Sequence, residues 1–326
     1  MTIDVLCLRP EADFQRADAM PPGALKVAYR ALDDPDVPVL MKQARALLIP
    51  AVGPKLASAL FENTSVKFVQ VTGAGVDRLD LSLMKKLGIA VANVPGGSNN
   101  AVAEYVVTAA SSLLRRFVWA DAEIRAGRYR EFRAKMLADN LSGLDGLTAG
   151  LVGLGVIGLA VAEALHRNSC NILYYDPAPR DPRAAAAFGA KSVSLDELLK
   201  TSDVVTLHVP LLPSTQGLIT ARELALMKRG AIVIQASRGG IVDEAALAAA
   251  LNSGHLGGAA VDVYSTEPPA ANNPLLTLSG DAARRILFTP HIAGVTRQAS
   301  NFLFRSAWRN IERVLLTKEP PLDRAC

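Results

Sequence analysis

The 326 residues contain four histidines: His166, His208, His255 and His291. His291 stands in ILFTPHIAG, Ile286 to Gly294, between a proline and a short apolar turn and just after a strand-like run. An imidazole can give or take a proton near neutral pH. Other reactive side chains stand at the ends of similar runs. IVIQASRGG leads into Arg238, a fixed cation whose paired donors fit a carboxylate or polarise a carbonyl. AAVDVYSTEPP carries Asp262 and then Glu267. In a doubly wound parallel sheet, ligands bind at the carboxyl ends of the strands. Arg238, Asp262, Glu267 and His291 therefore share one edge. Together they suit reduction of a 2-keto acid: a hydride from a cofactor, a proton from His291, and a substrate carboxylate and carbonyl held by Arg238. Each also has an ordinary explanation taken singly. Arg238 could be a solvated loop residue, Glu267 a turn residue before Pro268 and Pro269, and Asp262 or His291 a strand-end cap.

A hydride needs a carrier, and LVGLGVIGLAVAEAL suggests its seat. Gly153, Gly155 and Gly158 form G-x-G-x-x-G after a strand and at the start of a helix. The first glycine permits the tight turn, the second lets backbone approach a pyrophosphate, and the third lets helix and strand pack closely. The helix N-terminus adds N–H donors and positive potential. The next strand, NILYY, ends at Asp176, at the spacing expected for an acid that binds the adenosine ribose. Its charge would repel a 2′-phosphate, so NAD is expected over NADP.

The elements that must hold these residues follow from the apolar pattern. IDVLCL, KVAYRAL, ALLIP, VKFVQVTG and IAVANV read as strands before Val94, and LTAGLVGLG, NILYYD, DVVTLHVP, AIVIQAS, AAVDVY and RILFTP as a second series. Near-continuous Val/Ile/Leu strands alternating with helices indicate parallel sheets buried on both faces. Between the two series, NNAVAEYVVTAASSLLRRFVWADAEIRAG reads as one long buried helix, with Asn99 or Asn100 as N-cap and Gly127 as stop. SLDE and TARE have the spacing of capping boxes, and DEAALAAALNSG starts on acids and stops at Gly254.

Composition bounds the rest. The length suggests about two domains. Half the residues are hydrophobic, a fifth are charged, and the net charge is +4. No Lys/Arg stripe argues for nucleic acid, and no apolar run reaches the roughly 20 residues of a membrane span. MTIDVLCL reads as a first strand, not a signal peptide. Cys7, Cys170 and Cys326 are scattered, so neither a disulfide framework nor a zinc site follows, and a reducing cytoplasm is expected.

In order, TGAGVDRLD, NVPGGSNNAVAEY, GLVGLGVIG, YYDP, SDVVTLHVPLLPSTQGLI, ASRGGIVDEAALAAAL, GAAVDVYSTEPP and TPHIAG run along nearly the whole chain. With them the sequence resembles the D-isomer-specific 2-hydroxyacid dehydrogenase family. The resemblance implies an α/β fold of two doubly wound parallel-sheet domains, Rossmann- and flavodoxin-like, with a cleft between them. It implies a discontinuous substrate domain from about 1–98 and 293–326, and an inserted NAD-binding domain over about 99–292. It further implies Arg238, Glu267 and His291 as the catalytic set, with Glu267 paired to His291. Val156, Ile157 and Asp176 would contact the cofactor, and Val209, Ala236, Arg238 and Asp262 would surround its nicotinamide side. Backbone at Ala74, Gly75 and Val76 would face the substrate carboxylate as an anion nest. A homodimer is expected through the apolar helix from about 100 to 118 and the aromatic and basic segment FVWADAEIRAGRYREF that follows.

One departure bears on the substrate. Phosphoglycerate enzymes of the family carry an arginine in the loop corresponding to LLIPAVGPKL; here Lys55 is its only cation. The chain also ends soon after its last helix, where no regulatory domain is expected. Some proteins of this fold instead bind NAD as a ligand and act as transcriptional corepressors. A regulatory tail or a peptide-binding insertion would favour that alternative, and neither is read here.

Overall fold

A computed structural model describes residues 3–326. The chain divides into two units, residues up to Ser98 with Val295–Cys326, and Asn99–Gly294.

The first unit is built on five parallel strands: β1 (Val5–Cys7), β2 (Val27–Tyr29), β3 (Ala46–Pro50), β4 (Phe68–Thr72) and β5 (Ala90–Ala92), in the order β2-β1-β3-β4-β5. Alternate residues of one strand point to opposite faces. Ala46 and Leu48 of β3 join a core with Phe14, Phe304, Ala307 and Trp308. Leu47 and Ile49 join another with Met41, Met84 and Val91. Both faces are thus covered, which is why ALLIP carries no polar side chain. The helix Arg297–Glu312 covers one face with Phe304, Ala307, Trp308 and Ile311, the i, i+3, i+4, i+7 pattern of a helix stripe. Phe14 packs against Phe304 and Trp308 at ring distances of 4.8 and 5.2 Å.

The second unit has seven parallel strands: β6 (Thr148–Val152), β7 (Asn171–Tyr175), β8 (Lys191–Ser192), β9 (Val204–Leu207), β10 (Ile232–Gln235), β11 (Gly258–Val261) and β12 (Ile286–Phe288). Their order is β12-β11-β10-β9-β6-β7-β8. The order reverses between β6 and β9, so the ligand crevice of this sheet is expected at the carboxyl ends of those two strands. Val152, Val205, Leu207, Val233 and Val261 lie in the core on one side, and Leu151, Val204, Ile232, Ile234 and Ala260 on the other.

The single long helix expected from Asn99 is instead two, Asn99–Leu114 and Phe117–Arg125, with Arg116 between them in the left-handed region at φ 55°. The break turns Trp119 onto Phe132 of the helix Tyr129–Ala138, with ring centroids 5.2 Å apart. The guanidinium of Arg116 covers the Trp119 ring at 5.4 Å and pairs with Asp139. No glycine or proline marks this break, because side-chain packing makes it. Asn99 and Asn100 lie in the first turn instead of capping it. Gly127 does follow the end of the second helix, with φ 74°. Thr220 and Glu223 form a full capping box, while Ser194 accepts from the Glu197 N–H.

Candidate active site

Gly153 follows β6 with φ 101°, a conformation that L side chains rarely adopt. A Cβ there would also strike the His208 carbonyl carbon and Val209 Cγ1 at 2.8 and 2.9 Å. The turn is therefore pressed against the end of β9, at the point where the strand order reverses. A Cβ on Gly158 would lie 2.2 Å from the Gly153 carbonyl oxygen, so the helix start and the turn touch through backbone. Gly155 differs from both: a Cβ on it would meet nothing within 4 Å. It caps the helix Val156–Arg167, and Val156 beside it is 57 % exposed. This bare turn aims the N–H groups of a helix start into open space, which fits the pyrophosphate of a dinucleotide. Val209 is buried beside it, and Ile157 and Ala236 are partly buried.

Asp176 follows β7 with its side chain only 2 % exposed. Its Oδ2 accepts from the Leu154 N–H at 2.7 Å and from Arg180 Nε at 2.6 Å, and its Oδ1 accepts from the Ala178 N–H at 2.9 Å. Burial pushes this carboxyl upward, but Arg180 and the two amides outweigh it and hold it below the ordinary range. A carboxylate has about four acceptor sites, and these three bonds fill all but one. Arg180 was not singled out from the sequence, although it stands four residues after Asp176.

His208 is a second residue that sequence reasoning passed over. Its Nε2 lies 2.9 Å from Thr206 Oγ1, and its Nδ1 is enclosed without a partner. Burial lowers the pKa of this ring to about 3, so it is neutral beside the glycine turn.

On the same strand edge, Arg238 follows β10, the strand beside β9. Its Nη1 donates to the Ser237 carbonyl at 2.8 Å, and its own carbonyl accepts from Gln235 Nε2 at 2.9 Å. A Cβ on the next residue, Gly239, would lie 1.8 Å from the Tyr264 carbonyl oxygen, so only glycine fits there.

His291 and Glu267 meet directly. Nδ1 of His291 lies 2.8 Å from Oε2 and 3.1 Å from Oε1 of Glu267, and the two side chains are 21 % and 28 % exposed. An ionised carboxylate only accepts, so Nδ1 carries the proton and donates it. Nε2 is then the ring nitrogen left without a proton. Glu267 is itself oriented by the Tyr264 N–H, 3.1 Å from Oε1.

The backbone of His291 is left-handed, at φ 56°. Such a conformation costs about 1–3 kcal/mol. Asp262, only 1 % exposed, offsets it: its carboxylate accepts from the N–H groups of Ile292 and Ala293 at 2.8 and 2.9 Å, and its carbonyl accepts from the His291 N–H at 2.8 Å. Bonds to a charged group stabilise by about 1.5–3 kcal/mol each, so the anchor outweighs the strain.

Ala74, Gly75 and Val76 lie in the first unit, in the turn after β4. Ala74 is exposed, and its carbonyl accepts from Asn93 Nδ2 at 2.7 Å. Gly75 and Val76 are partly exposed. Nearby Arg78, 4 % exposed, donates from Nε to the Pro54 carbonyl and from Nη1 to the Pro50 carbonyl, each at 2.8 Å. Burial lowers its pKa. The loop in which Lys55 is the only cation is thus fastened by an arginine from another segment, which its own sequence could not reveal.

Residues 107–293 match the family model described as D-isomer specific 2-hydroxyacid dehydrogenase, NAD binding domain. The chain belongs to the D-isomer specific 2-hydroxyacid dehydrogenase family. It is 40 % identical over 235 residues to D-3-phosphoglycerate dehydrogenase of Archaeoglobus fulgidus, covering 72 % of this chain and 42 % of that protein. It is 34 % identical over 296 residues to glyoxylate reductase of Thermococcus litoralis, covering 88 % of this chain and 87 % of that one. The chain spans about half, or less, of the length of the first D-3-phosphoglycerate dehydrogenases that it matches. Among solved structures, the holo form of D-mandelate dehydrogenase from Rhodotorula graminis aligns over 99 % of this chain and 97 % of its own with a TM-score of 0.85, and TT0316 of Thermus thermophilus over 99 % and 100 % with a TM-score of 0.84. Their identities to this chain are 26 % and 30 %. The second unit is thus the family's NAD-binding domain, and the corepressor alternative finds no support in these likenesses. No helix among the described residues is long and apolar enough to cross a membrane.

Proposed function

We propose that this dehydrogenase-family protein reversibly reduces a 2-keto acid to a D-2-hydroxy acid with NAD(H). The observation that carries the reading is the His291–Glu267 pair, 2.8 Å apart, on the strand edge that also bears the glycine turn. NAD(H), when bound, supplies or accepts the hydride. Glu267 keeps the proton on Nδ1 of His291, so Nε2 faces the reacting oxygen and delivers or removes its proton. Arg238 offers a permanent charge and paired donors for the substrate carboxylate and the polarised carbonyl. Within the first unit, backbone at Ala74, Gly75 and Val76 is the candidate nest for a substrate carboxylate.

Residues up to Ser98 and from Val295 onward form the substrate domain in this reading. A substrate without a phosphate is favoured, because the Pro50–Leu56 loop offers only Lys55 and Arg78 is committed to that loop's carbonyls. The chain is further read as a homodimer, since Phe117, Val118, Tyr129 and Leu137 of the helices after Arg116 are 51–65 % exposed. Sedimentation at micromolar concentration giving a monomer mass would count against it.

The decisive experiment is NADH oxidation with a panel of phosphorylated and unphosphorylated 2-keto acids. Turnover with an unphosphorylated acid is expected. Absence of turnover with every acid would refute the reading, and a preference for a phosphorylated one would refute the substrate assignment.

A further inference from the structure

Behind the loop of His291 lies a chain of hydroxyls. Thr289 Oγ1 is 2.5 Å from Asp262 Oδ1, and Tyr105 Oη is 2.8 Å from Thr289 Oγ1. The direction of both bonds follows from elementary chemistry. An ionised carboxylate cannot donate, so the Thr289 hydroxyl gives its proton to Asp262. That proton is then spent, so Tyr105 must donate to Thr289. Burial lifts the Tyr105 hydroxyl to about 12, which keeps it a donor throughout the neutral range. The acceptor at the end, Oδ1 of Asp262, is the same atom that receives the Ile292 N–H, and its neighbour Oδ2 receives the Ala293 N–H.

We propose that Tyr105 and Thr289 are positioning residues for His291: their hydroxyls orient the Asp262 carboxylate, and Asp262 holds the left-handed loop that presents the imidazole. The proposal rests on the reading of His291 as the proton-exchanging residue. Tyr105 belongs to the helix Asn99–Leu114, Thr289 follows β12 and Asp262 follows β11, so one relay ties three elements to the loop. With only Ile292 and Ala293 as partners, the carboxylate would be held solely by the loop that it anchors. The third donor, Thr289, fixes the carboxylate to a residue outside that loop. The loop's own N–H groups hold the carboxylate from one side, and Thr289 adds a donor from outside the loop, after β12. The carbonyl of Thr289 is bound separately by the Tyr264 hydroxyl at 3.1 Å, so removing the Thr289 hydroxyl leaves its backbone held.

The test compares Thr289→Val, Thr289→Ser and Tyr105→Phe by two readouts. Amide exchange of Ile292 and Ala293 reports the loop without substrate. Kinetics with NADH and the best 2-keto acid report kcat, KM and NADH affinity. Thr289→Val should speed exchange at both amides and lower kcat about tenfold or more, the loss expected for one bond to a charged group. NADH affinity should stay within about twofold. Thr289→Ser should restore both readouts, and Tyr105→Phe should show a smaller loss of the same kind. Unchanged exchange and kcat in Thr289→Val would overturn the proposal. So would a Thr289→Ser protein as impaired as Thr289→Val, because the methyl group and not the hydroxyl would then be the agent. If Thr289→Val does not fold, Thr289→Ser and Tyr105→Phe decide: wild-type behaviour in Tyr105→Phe overturns the role of Tyr105. A wild-type protein that reduces no 2-keto acid, with exchange still responding to Thr289→Val, would refute the proposed reaction and leave the loop anchor supported.

Discussion

Two parts of one strand edge serve the proposed reaction by opposite means. The Gly153–Gly158 turn works by omission: it puts no side chain where a Cβ would strike Val209 or the Gly153 carbonyl, and none above Gly155, where the space is open. The His291 loop works by addition. Its left-handed residue is held by a buried aspartate, its ring by a glutamate, and its anchor by a threonine hydroxyl that a tyrosine hydroxyl backs. Backbone can therefore bind a cofactor common to many enzymes, whereas the placement of one proton needs side chains drawn from distant strands.

The largest effect should come from the loop. His291→Asn is expected to lower kcat by about 10²–10⁴, with NADH binding nearly unchanged by fluorescence titration. If cofactor affinity collapses in parallel, His291 belongs to the cofactor pocket and the division of labour between turn and loop breaks down.

The turn offers an internal control. Gly158→Ala sets a Cβ 2.2 Å from the Gly153 carbonyl oxygen, so both thermal stability and NADH affinity should fall. A Cβ on Gly155 meets nothing in the protein, so Gly155→Val should lower the melting temperature less than Gly158→Ala does. It should weaken NADH by about tenfold or more, the cost of about 1.4 kcal/mol of obstruction. Calorimetry that finds normal NADH affinity in Gly155→Val would show that the open space is not the cofactor's.

A third prediction concerns pH. His208 takes a proton near 6.5 when unfolded and only near 3 when folded. Between those values the unfolded chain binds one more proton, so stability falls as pH drops, by about 1.4 kcal/mol per unit for this one group. Above 6.5 the contribution is fully present. Urea unfolding at pH 7 and pH 5 should show a flatter dependence in His208→Gln than in the wild type. Identical slopes would mean that the ring is not neutral in the fold.

The smallest effect is expected at Arg180. NADH should be used more efficiently than NADPH, because Asp176 repels a 2′-phosphate. Arg180 neutralises part of that charge, and its side chain is 37 % exposed. Arg180→Gln should widen the preference about threefold to tenfold, in the range of a partly exposed pair. A narrower preference in the variant would show that Arg180 itself excludes the 2′-phosphate.

How much of this was legible beforehand follows the same contrast. Buried parallel strands announce themselves as Val/Ile/Leu runs, and the glycine turn is legible because its requirement is local. The types of Arg238, Glu267 and His291 were legible too, together with the shared strand edge. What sequence could not reveal depends on contacts between remote residues. Arg180 lies only four positions from Asp176, yet nothing in YYDPAPR tells which way it folds. Tyr105 and Thr289 read as an ordinary helix residue and a strand end. The break at Arg116 has no glycine or proline to mark it, since Trp119, Phe132 and Asp139 make it.

The helix Arg297–Glu312 has a consequence in time. Asn301 donates to the Ala17 carbonyl across a separation of 284 residues, and Phe304 and Trp308 fill the core around Phe14. On the ribosome, β1 to β5 emerge before this helix with one face of their sheet uncovered, and they must wait for the roughly 200 residues between β5 and the helix to be made. Asn99–Gly294 is contiguous and can close upon itself meanwhile. Domains generally fold as units during synthesis. For this chain the order of birth and the order of completion are therefore inverted: the middle matures first, and the oldest segment is the last to find its partner.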